Sequence, residues 1–69
     1  MLVTLLGDGT QQRFFIHLIE NDIQGVEFYN VTIKGGKSFF TYSLPNATLD
    51  DAVIFKLKFP NCTIHSFAL

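Results

Sequence analysis

The run Phe14-Phe15-Ile16-His17-Leu18-Ile19 is apolar on both sides of any strand it forms, in a chain of only 69 residues. A domain this short buries about 60% of the surface its unfolded chain exposes. Apolar residues that do not fit a single small core must therefore stay outside it. This chain has many of them: 48% of its residues are hydrophobic, eight are Phe, and its mean hydropathy is +0.29. The excess predicts a surface that another molecule covers.

Length alone fixes a single domain spanning residues 1–69. Cys62 is the lone cysteine, so an intrachain disulfide is excluded and a reducing compartment is compatible. The formal net charge is −1, with a pI of about 6.0. The five cations, Arg13, Lys34, Lys37, Lys56 and Lys58, are thinly spread. Nucleic acid is therefore disfavoured as a partner, because affinity for phosphate backbones needs clustered charge. The first ten residues lack the basic segment of a signal peptide, and no apolar run approaches the ~20 residues of a membrane span. The expectation is a cytoplasmic protein with no membrane partner. Frequent Phe, Asn, Ile and Lys without Trp fit an AT-rich genome such as that of a phage or mobile element.

Along the chain, Leu2–Leu6 reads as a short strand, and Asp8-Gly9 as a hairpin turn in which glycine takes positive φ. Gln12–Glu20, rich in aromatic and branched residues, reads as a second strand. Val26–Ile33 and Ser38–Leu44 are two further strands, joined by a tight Gly35-Gly36 turn. Strict alternation places Val26, Phe28, Asn30 and Thr32 on one face, and Glu27, Tyr29, Val31 and Ile33 on the other. Residues 48–59 combine helix start and stop signals: Thr48 as a cap, Asp50 and Asp51 in the first turn, Lys56 and Lys58 near the end, and Pro60 beyond. Leu49, Ala52, Val53 and Leu57 form one helical stripe. The alternation Phe55-Lys56-Leu57-Lys58-Phe59 offers a strand as the competing reading. Cys62–Phe67 is a final strand. The sum is an α+β domain, a small antiparallel β-β-β-β-α-β sheet with one helix on one face; the alternative is a small all-β barrel.

No constellation of catalytic residues stands out. Gly35-Gly36-Lys37-Ser38 resembles the end of a phosphate-binding loop, but Val31 occupies the place of its first glycine and a strand follows, so the motif reads as a hairpin. Cys62 and His65 are three apart and point to opposite faces of a strand. With His17 they make three soft ligands, short of the usual four for structural zinc. Asp50-Asp51 suits a helix start better than acid–base chemistry, since adjacent helical residues diverge by about 100°. Asn30, Asn46 and Asn61 each begin an N-x-T triplet, the glycan acceptor pattern of secreted chains.

These readings converge on a small non-enzymatic protein-binding module without metal or cofactor. Its uncovered sheet face, or an edge strand, docks on another protein, with a homodimer as the simplest form. The expected interface residues are Phe15, His17, Ile19, Tyr29 and Val31. A phage or mobile-element protein acting on a host factor is one concrete version. The alternative is a single-stranded nucleic-acid-binding domain using the aromatic sheet residues Phe15, Tyr29, Phe39 and Tyr42.

Overall fold

A computed structural model describes residues 1–65. Strand β1 (Leu2–Leu6) leads into helix α1 (Thr10–Glu20), strands β2 (Glu27–Lys34) and β3 (Lys37–Ser43), helix α2 (Leu49–Lys58) and strand β4 (Thr63–His65). The four strands form one open antiparallel sheet in the order β2-β3-β1-β4. The α+β class holds, and the sheet does not close into a barrel. The connections are the split β-α-β pattern, which hosts many unrelated functions and specifies none.

The segment expected to be a second strand is helical. Phe14, His17 and Leu18 are buried, at the i, i+3, i+4 spacing of a helix face. Phe15, Ile16 and Ile19 fall on its flank and outer side. Two-sided greasiness in a strand reading is thus the signature of an amphipathic helix whose outer face is also apolar. Asp8-Gly9 is accordingly not a hairpin turn but the entry to α1. Gly9 adopts φ 95°, and the Asp8 carboxylate accepts from the backbone N–H of Thr10 at 3.1 Å and from its hydroxyl. Two helices, rather than one, cover the sheet.

Other elements follow the sequence closely. Gly35 and Gly36 have φ 59° and 75°, as a tight β2–β3 hairpin turn requires. α2 begins with a capping box, in which Asp51 N–H donates to the Thr48 hydroxyl at 3.2 Å and Thr48 N–H donates to the Asp51 carboxylate at 2.8 Å. β4 spans Thr63–His65; residues 66 and 67 of the expected strand lie outside the described residues.

Both helices pack on the same side of the sheet. Val3 and Leu5 of β1 point into a core completed by Phe14, Leu18, Leu44, Phe55, Phe59 and Cys62. Its centre is aromatic: the Phe14 ring lies 4.9 Å from Phe55 and 5.4 Å from Phe59, in tilted and edge-on geometry. Truncating a buried Phe to Ala costs about 3–5 kcal/mol, a large share of the ~5–15 kcal/mol that holds a small domain together. Phe55→Ala is expected to lower the urea midpoint steeply, by a large share of the total stability, whereas Leu57→Ala on the same helix leaves it nearly unchanged; urea titration followed by circular dichroism checks both.

Candidate interaction surfaces

β2 is the outermost strand beside β3, and all eight of its residues are exposed. A bulge breaks its register: Phe28 pairs with Tyr42 and Asn30 with Thr41, leaving Tyr29 unpaired. The extra residue re-sorts the faces expected from strict alternation. Phe28, Val31 and Ile33 share the helix-bearing side, through their ladder partners Tyr42, Phe40 and Ser38. Tyr29, Asn30, Thr32 and Lys34 together line the free side. Tyr29 and Val31, expected on one face, are thus on opposite faces.

α1 continues the apolar helix-side surface. Phe15 is half-buried with its ring 4.9 Å from Tyr42, and Tyr42 stands 5.9 Å from Phe28. Ile16 is exposed, and Ile19 is 79% exposed. Phe15, Ile19 and Val31 therefore belong to the helix-bearing side, with Tyr29 on the reverse of the same edge.

His17 is a core residue. It is 5% exposed and sits edge-on to Phe55 and Phe59, with ring centroids 5.7 and 6.0 Å away. Its Nδ1 lies 3.2 Å from both the Asn21 side-chain amide and the Lys58 ammonium. Burial first, and the Lys58 charge second, hold its pKa below 6.5, against smaller opposing effects of Glu20 and Asp51. As an interface residue it is unavailable without opening the fold.

The free face of the sheet is mixed rather than greasy. A shallow cleft of about 630 Å³ there is lined by Leu2, Tyr29 and Phe39 among threonines, Asn30, Lys34 and His65. The Thr4 hydroxyl lies 2.7 Å from that of Thr41 and 3.0 Å from His65 Nε2, a polar row across three strands. Hydroxyl-rich composition lets one face of an antiparallel sheet meet water. The expected stranded aromatics are therefore not what makes this face distinctive.

The second apolar surface, on α2, runs against expectation. The stripe Leu49, Ala52, Val53 and Leu57 was the natural core face, yet Phe55 alone is buried on this helix. Leu49, Val53 and Leu57 are 69%, 60% and 77% exposed. With Ala52, Lys56 and Ile64 of β4 they line a groove of about 570 Å³. Phe55 and Phe59, one turn apart, take the core because their rings reach Phe14 and His17. The ammonium of Lys56 donates to the carbonyls of Pro60 and Cys62 at 3.1 and 2.6 Å, fastening the end of α2 to the approach to β4.

The remaining candidate groups are dispersed. Cys62 is buried, its thiol donating to Phe55 O at 3.9 Å, and burial pushes its pKa up, which keeps it protonated and unreactive. His65 stands on the free face. Among the described residues no three His, Cys, Asp or Glu side chains converge on a metal position, and no helix is long and apolar enough to cross a membrane. Asn30 lines the free-face cleft, and Asn46 donates to Gln24 O at 3.0 Å, pinning two loops together. Comparison with protein-family models, curated proteins and solved structures gave no match.

The buried His17 makes the fold itself pH-sensitive. Its folded-state pKa is lowered, so the unfolded chain binds more protons below pH 6.5. The stability difference is fully present above that value and is lost as pH falls toward the lowered one. The thermal midpoint is expected to drop between about pH 7.5 and about pH 5. His17→Gln, which keeps an acceptor for Lys58, is expected to flatten most of that slope in a calorimetric series.

Proposed function

We propose that the chain is a small self-associating protein-binding module whose β2 edge pairs with the β2 edge of a second copy. A free strand edge presents unpaired backbone N–H and C=O groups, and proteins usually blunt it with proline, with charges along its length or with bulges; of these, β2 carries only the single bulge at Tyr29. β2 has no proline, and its charges are confined to its two ends, Glu27 and Lys34. That placement is the observation that carries the reading. Antiparallel pairing about a two-fold axis points the Glu27 end of each copy toward the Lys34 end of the other, opposite charges at each. Parallel pairing sets like beside like.

Backbone hydrogen bonding supplies a general attraction and side chains supply selection. On the helix side, Phe28, Val31 and Ile33 add an apolar seam. Covering these residues removes apolar surface from water at ~25 cal/mol per Å², which offsets part of the translational and rotational cost of association. The chemistry required of the module is binding, and the separated histidines, cysteine and carboxylates suit that role better than catalysis.

Sedimentation equilibrium tests the reading. Ile33→Lys keeps strand length and places a charge in the seam, and it is expected to weaken association at least tenfold while circular dichroism stays unchanged. The charge reversal Lys34→Glu is expected to weaken it, and the double exchange Glu27→Lys with Lys34→Glu to restore it. Association indifferent to all three variants contradicts the β2 edge as the interface.

A further inference from the structure

The free face of the sheet orders its side chains in rows. Ladder partners stand on the same side of a sheet, so the register gives the rows directly. Lys34 and Lys37 face each other beside the hairpin turn. Thr32, Phe39 and Leu6 form the next row, and Asn30, Thr41, Thr4 and Thr63 the one after. At ~3.4 Å per strand residue, Phe39 has the lysines about 7 Å to one side and the hydroxyl row about 7 Å to the other. The bulge adds Tyr29 beside Asn30, so the edge strand presents a ring and an amide together. Of the four aromatics expected to stack on bases, Phe15 and Tyr42 pack against each other on the helix side, whereas Tyr29 and Phe39 share the free-face cleft.

The lysine pair calls for an anion. Like charges directly opposite on a sheet repel, and an anion between them removes that cost. Both lysines are exposed. Among the described residues, the ammonium groups that bond within the fold belong to Lys56 and Lys58. The register puts one carboxylate on this side, Glu27, at the far end opposite Ser43. Asp8, beyond the end of β1, is engaged by Thr10. The cleft volume of about 630 Å³ falls within the ~300–1,000 Å³ of small-ligand sites.

We propose that this cleft binds a nucleotide unit, its base lying on Phe39 beside Tyr29 and its phosphate between Lys34 and Lys37. Thr4, Thr41 and Asn30 then meet the edge of the base. The two hydroxyls bond to each other, which leaves each with acceptor capacity, and the Asn30 amide offers both donor and acceptor. Base faces stack on aromatic rings with little regard to sequence, and a single strand leaves them free to do so. The thin spread of cations over the whole chain limits the phosphate contacts to this one pair, so binding is modest and centred on one residue of the strand. The site goes beyond the β2 pairing and does not depend on it.

Fluorescence anisotropy with a short oligothymidylate, competed by thymidine monophosphate and by duplex DNA, tests the site. The strand is expected to bind, with the logarithm of its affinity falling against the logarithm of salt at a slope of about −1.4, two contacts at about −0.7 each. A strand that binds tighter than the free monophosphate assigns the site to a nucleic acid; equal affinity assigns it to a free nucleotide, and either outcome supports the proposal. Duplex DNA, whose base faces are stacked on one another, is expected to compete at least tenfold less well. Phe39→Leu keeps an apolar side chain but removes the ring, and Lys37→Gln removes a charge one strand in from the β2 edge, leaving the β2 pairing intact. Each is expected to weaken binding about fivefold or more, with circular dichroism unchanged. Should Phe39→Leu disturb the fold, amide shifts in the native protein decide: the strand is expected to move Lys34, Lys37, Phe39 and Thr41 and to leave α1 and α2 in place. No binding of either probe at about 1 mM, native affinity in a folded variant, duplex competing as well as the strand, or shifts confined to the helices overturns the proposal while leaving the β2 reading standing.

Discussion

The packing of Phe14 against Phe55 and Phe59 is the contact on which the rest of this structure depends. It is the place where α1 meets α2, and both helices reach the sheet through it by way of Val3 and Leu5. A chain of this size has room for one such cluster. Its aromatic residues fill that room with few side chains, and His17 takes the remaining edge with its ring nitrogen turned to Asn21 and Lys58. Burying an imidazole there costs stability in acid. It also fixes where Lys58, at the end of α2, is held.

The same economy explains the surface. Because Phe55 and Phe59 turn α2 toward Phe14, the aliphatic stripe Leu49-Val53-Leu57 is rotated away from the core. Because the helices sit over the middle of the sheet, β2 projects beyond their cover with Phe28, Val31 and Ile33 on the helix side. Two apolar margins result, one along β2 and one along α2. The free sheet face, with its threonine rows, is the surface that best tolerates water.

Much of this was legible in the residues. Thr48, the paired aspartates and Pro60 bracket α2; Gly35-Gly36 marks the hairpin; Leu2–Leu6 reads as a strand. The excess of apolar residues over core capacity was visible too, and Tyr29 and Val31 both fall on the exposed edge strand. α1 was not legible as a helix, because its outer residues Ile16 and Ile19 are branched and apolar, erasing the polar face that marks an amphipathic helix. That misreading also moved His17 from the core to the surface. The spacing Phe14, His17, Leu18 was the signal available. The bulge at Tyr29 left no mark that period-two alternation detects. Which stripe of α2 is buried was decided by the partner rings across the core, a tertiary effect that overrides local periodicity.

Amide hydrogen exchange at two protein concentrations tests the central claim most directly, since it reads the β2 backbone rather than the size of the particle. In a single copy the outward amides of residues 27–34 have no ladder partner beyond β3. If a second copy completes the sheet, exchange at those amides slows markedly as the protein is concentrated, while β1 amides in the sheet interior change little. Outward β2 amides that exchange equally fast in dilute and concentrated protein, in a sample that is associated at the higher concentration, would contradict it.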